Sequence, residues 1–99
     1  MSDGKEITLL AEMTFAAPVD ETVVGALKLL MTAVRQEPGC VEYAAHTHAC
    51  DPRRVIFYER WQDPKAVDVH GAAPADTACK TLFTASPVRL MDVVFCNAE

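Results

Sequence analysis

Basic residues are scarce: nine Lys and Arg stand against fourteen Asp and Glu, a formal net charge of −5 over 99 residues. Nucleic acid and anionic membrane are therefore not expected as main partners, because both are bound through clustered positive charge. No apolar stretch approaches the roughly 20 residues that carry a helix across a bilayer. No C-x-x-C spacing occurs among Cys40, Cys50, Cys79 and Cys96. The opening Met1-Ser2-Asp3-Gly4-Lys5-Glu6 is polar, unlike a secretory leader. Reduced thiols and a cytoplasmic setting are the expectation. What is present is a globular composition, 51% hydrophobic and 23% charged. Such a length supports a single domain over residues 1–99, with its core at about 7–96.

From Ile7 to Phe15, Ile7, Leu9, Ala11, Met13 and Phe15 alternate with Thr8, Leu10, Glu12 and Thr14, the period of a strand. Asp20 is a suitable N-cap for the segment after it. There Val23, Val24, Leu27, Leu30, Met31 and Val34 recur at helical spacing opposite Glu21, Thr22, Lys28, Thr32 and Arg35. Pro38-Gly39 ends that helix. Cys40 to Cys50 and Val55 to Trp61 read as strands of an antiparallel hairpin. Asp63-Pro64 starts a short helix carrying Ala66, Val67, Val69 and His70, with Gly71 to close it. Pro74 starts another, and Val88 to Cys96 reads as the last strand. The order β-α-β-β-α-β, its second helical region split in two, predicts an α+β, ferredoxin-like fold with a four-stranded antiparallel sheet.

Both faces of that sheet carry apolar residues. In the third strand Val55, Phe57, Glu59 and Trp61 share one side, and Ile56, Tyr58 and Arg60 the other. In the last, Val88, Leu90, Asp92 and Val94 oppose Arg89, Met91, Val93 and Phe95. A sheet covered by helices on one face needs only one apolar side. A second copy of the chain is the simplest cover for the other, so a homodimer is expected. The alternative is a monomer with scattered exposed apolar groups.

Four strings occur in order: Glu37-Pro38-Gly39-Cys40-Val41-Glu42-Tyr43, Tyr58-Glu59-Arg60-Trp61-Gln62-Asp63, Ala66-Val67-Asp68-Val69-His70, and Ala73-Pro74. Together they resemble the antibiotic biosynthesis monooxygenase domain family. The resemblance implies a dimeric α+β barrel with a pocket between each sheet and its helices. The family includes cofactor-free oxygenases of anthrones and quinols, haem-degrading enzymes and an isomerase-like enzyme of a phosphorylated signalling molecule. This chain departs from it in places. Met13 stands where the oxygenases carry Asn, and Asn97 is the only Asn in the chain. Cys79-Lys80 replaces the iron-binding His of the haem-degrading members, so no haem and no other cofactor is expected. Pro74-Ala75 replaces a frequent Pro-His pair.

In the family arrangement Glu59 and Trp61 line the pocket, His70 looks into it from the short helix, and Tyr43, Met13, Phe57 and Val67 are candidate substrate contacts. An imidazole titrates near neutral pH, so His70 is the candidate base. Glu59 is a second one if burial raises its pKa, and Trp61 offers a surface for a flat ring. Each has an ordinary alternative: Trp61 and Tyr43 as core aromatics, Glu59 as the partner of a buried His or Arg, His70 as a helix–sheet contact. His46-Thr47-His48-Ala49-Cys50 sets two imidazoles and a thiol at alternate strand positions. His46, His48 and Cys50 are thus a weak candidate metal set, lacking a fourth ligand.

The leading expectation is a cofactor-independent monooxygenase whose partners are dioxygen and a small aromatic quinol or polyketide-like phenol. The alternatives are a non-oxidative isomerase or tautomerase, and a dimeric domain that binds a metabolite without turnover.

Overall fold

Strand-forming alternation, a capped helix and a glycine turn lay down the first half of the chain. The structure, a computed structural model, describes residues 6–71, and residues 90–97 as backbone. Strand β1 spans Ile7–Phe15, helix α1 Glu21–Val34, strand β2 Cys40–Thr47, strand β3 Arg54–Trp61, helix α2 Pro64–Gly71 and strand β4 Leu90–Asn97. All neighbouring strands pair antiparallel, in the order β2-β3-β1-β4. This is a ferredoxin-like α+β arrangement. The helix expected from Pro74 lies outside the described residues, as do the side chains of the last strand.

Helix α1 begins as its sequence requires. The Asp20 carboxylate accepts the Val23 N–H at 3.0 Å, satisfying one of the donors that a helix start leaves open. Val23, Leu27, Leu30 and Val34 are buried on one stripe, against the sheet face made by Leu9, Ala11, Met13, Phe15, Tyr43, Val55, Phe57 and Trp61. No helix among the described residues is long and apolar enough to cross a membrane.

Strand β2 stops at Thr47, three residues before the expected end at Cys50. His48 leaves the ladder and its Nδ1 accepts the N–H groups of Cys50 and Asp51, each at 3.0 Å. The imidazole thus caps the turn into β3, and the alternation that was to align His46, His48 and Cys50 does not extend to the last two. Among the described residues no group of three or more His, Cys, Asp or Glu could hold a metal ion. At the other end of β2, pairing passes from Cys40↔Trp61 to Glu42↔Arg60. Val41 is the extra residue of a bulge, which returns Tyr43 to the same face as Cys40.

Gly39 positions α2. Its φ is +82°, the left-handed region that costs other residues about 1–2 kcal/mol. A Cβ added there would lie 2.5 Å from the Ala66 Cβ. The Asp63 carboxylate caps α2 by accepting the Ala66 N–H at 2.9 Å, with Pro64 at the first helical position. Ala66 and His70 are the buried residues of α2. Four residues apart, they share a face, so the seat of Ala66 on Gly39 turns His70 toward the sheet.

Candidate functional site

Four elements bring their side chains together at the Trp61 end of the sheet. Trp61 and Glu59, two apart on β3, face the helices and are 0% and 3% exposed. The Trp61 indole N–H donates to Glu59 Oε1 at 3.0 Å. Glu59 is therefore a partner of a buried indole.

His70 lies on Trp61: the ring centroids are 4.6 Å apart at 30°, a stacked arrangement. The Tyr43 ring meets His70 edge-on, at 5.7 Å and 62°, and tilts against Phe57 at 5.7 Å. Tyr43 is itself held from behind, where the Arg35 Nε–H donates to its carbonyl at 2.9 Å. The imidazole is thus lodged between an indole face and a phenol edge, a geometry favoured by ring quadrupoles.

The fourth element is the turn after α1. Glu37 reaches His70 there, with Oε1 2.8 Å from Nδ1. The His70 and Glu37 side chains are 11% and 13% exposed, and the buried Glu37 Oε2 has no hydrogen-bond partner among the described residues. Cys40, paired with Trp61 across the strands, registers the same charges. Burial pushes its thiol pKa up, the carboxylates of Glu37 and Glu59 push it further, and Arg35 offsets part of this.

The expected residues are not all brought together. His70, Trp61, Glu59, Tyr43 and Phe57 form one buried cluster. Met13 shares their sheet face, but its register partner is Val55. Val55 lies six positions along β3 from Trp61, about 20 Å at strand rise. Leu9 and Ile7 are the β1 residues opposite Glu59 and Trp61. Val67 is half-buried on α2 and packs against the core. Glu37 was missed; its only sequence signal was its place at the head of the Pro38-Gly39 turn, which says nothing about a helix thirty residues on.

His46 is exposed and borders a cavity of about 330 Å³ between α1 and β2, with Lys28, Met31 and Ala45. A second cavity of about 160 Å³ lies beside the glycine turn, next to Gln62, Ala66 and Val69. Neither is lined by His70 or Trp61.

The family model described as antibiotic biosynthesis monooxygenase matches residues 6–81. Among solved structures, a Pseudomonas aeruginosa protein is similar at 23% identity and a TM-score of 0.81, covering 97% of this chain and 94% of its own. A protein described as an antibiotic biosynthesis monooxygenase is 24% identical at a TM-score of 0.82, covering 94% and 96%. A Shewanella oneidensis protein is 25% identical at a TM-score of 0.78, covering 96% and 90%. No curated protein matches the chain.

Proposed function

The chain belongs to the antibiotic biosynthesis monooxygenase family, and on that premise we propose that it oxygenates a small aromatic quinol or polyketide-like phenol with dioxygen, using no cofactor. The observation that carries this reading is the buried stack of His70 on Trp61. It joins an imidazole, a side chain that can serve as a general base, to buried aromatic walls that exclude water.

The residues divide the work. His70 takes the hydroxyl proton of the substrate. The resulting anion gives one electron to dioxygen, and the radical pair joins through a new C–O bond. His70 returns the proton to the peroxide, whose O–O bond then breaks. The outer oxygen and the hydrogen of the oxygenated ring carbon leave as water. The substrate gains one oxygen and loses two hydrogens, and dioxygen takes all its electrons from the substrate. Trp61, Tyr43 and Phe57 exclude water from the anion, while Glu59 fixes the indole through its N–H.

Incubation with candidate quinols under isotopically heavy dioxygen tests the reaction. One heavy atom in the product supports it. Substrate that exchanges protons with solvent but gains no oxygen contradicts it and favours an isomerase.

The same reading includes a homodimer formed through the sheet face remote from the helices. Register aligns Ala44, Tyr58 and Leu10 in one row across β2, β3 and β1, and Ile56 stands in the next. Leu10 is 42% exposed. Ion pairs of Arg60 with Glu6 and Glu42, and of Arg54 with Glu12, border this patch. An apolar centre with a charged border fits a self-complementary interface.

A further inference from the structure

Glu37 is a half-buried acid, its side chain 13% exposed, at a position where a surface turn would ordinarily keep its carboxylate in water. Among the described residues its side-chain partner is His70 Nδ1, 2.8 Å from Oε1, and none of them donates to its other, buried oxygen. Burying a carboxylate is costly unless it is paired, so the contact with His70 is what makes its placement tolerable. That contact also constrains the imidazole. An ionised carboxylate only accepts hydrogen bonds, so the proton of a neutral ring must then be on Nδ1.

We propose that Glu37 is a positioning residue for His70: its ionised carboxylate holds the ring proton on Nδ1 and makes Nε2 the nitrogen that receives the substrate proton. This rests on His70 being the base, as read above. Among the described residues, Trp61, Tyr43 and the carboxylate of Glu37 hold the ring. A flip of the ring would take Nδ1 away from that carboxylate. When Nε2 takes up a proton, the imidazolium already has a negative partner in place, the service a buried carboxylate gives to a catalytic histidine. The competing arrangement is a protonated Glu37 that donates to Nδ1. It would put the ring proton on Nε2 and make the pair a packing contact only.

The two arrangements are separated by the ring-nitrogen shifts of His70 in ¹⁵N-labelled protein at alkaline pH, a measurement that needs no substrate. The expected result is the Nδ1–H tautomer, giving way to a mixture in Glu37→Gln. An Nε2–H tautomer in the unmodified protein overturns the proposal, and this holds even if Glu37→Gln fails to fold. With a quinol that is turned over, Glu37→Gln should lower kcat by about 10²–10⁴-fold and leave KM within about twofold. A kcat equal to that of the unmodified protein also overturns the proposal. If His70→Ala retains full kcat, the base assignment itself has failed, whatever tautomer Glu37 selects.

Discussion

Gly39 and Ala66 are in contact across the junction of the glycine turn and α2, where an added Cβ would come within 2.5 Å of the Ala66 Cβ. This approach aims His70 at Trp61. Gly39→Ala is expected to cost about 1–2 kcal/mol for its left-handed backbone and about 1–3 kcal/mol more for overpacking. Each kcal/mol should lower Tm by about 4–8 °C. Thermal unfolding measures it, and the loss should shrink in an Ala66→Gly background because the two sites touch. An unchanged Tm in Gly39→Ala would contradict the contact.

Trp61 is the one tryptophan of the chain, so its fluorescence reports on this site alone. It is 0% exposed and covered on one face by His70. Its emission should be that of a buried indole, poorly quenched by acrylamide. His70→Ala should shift the emission to the red, increase quenching, and cost at least the ~0.5–1.5 kcal/mol of the ring contact. A spectrum identical to that of the unmodified protein would mean that the rings do not stack.

The thiols offer an electrostatic test. Cys40 and Cys50 are both free, but burial and two carboxylates raise the Cys40 pKa, and the thiolate is the reactive form. Alkylation at neutral pH, followed by peptide mass analysis, should modify exposed Cys50 about tenfold or more faster than Cys40. Glu37→Gln removes one of the two carboxylates and should speed Cys40 labelling. Equal rates in the folded protein would contradict the placement of these acids around Cys40.

The strands and α1 could be read from the sequence because burial on one side imposes periods of two and 3.6 residues. The same alternation put Glu59 and Trp61 on one face of the sheet, and only the family resemblance implied that this face is the helix side. Alternation gives the face of a residue, however, not its row, and Met13 was placed with Trp61 although register sets it at the far end of the sheet. The Val41 bulge and the early end of β2 depend on hydrogen bonds that no local pattern encodes. Glu37 eluded the reading for a related reason: it lies thirty-three residues before His70, and the packing of Gly39 on Ala66 brings the two together. The helix expected at Pro74 and the faces of the last strand lie outside the described residues.

The open sheet face leads to an expectation about assembly. Leu10→Lys introduces a charge into the apolar row it shares with Tyr58 and Ala44, while its present 42% exposure leaves room for the longer side chain. Size-exclusion chromatography with light scattering should show a dimer for the unmodified protein and a folded monomer for the variant. Dimers in both would place the interface elsewhere.

Oxygen uptake with a panel of aromatic quinols, compared between the unmodified protein and His70→Ala, tests the central claim most directly. A buried imidazole acting as the base should give the unmodified protein a rate about 10²–10⁴-fold higher with at least one quinol. Uptake no faster than that of His70→Ala across the panel would contradict it.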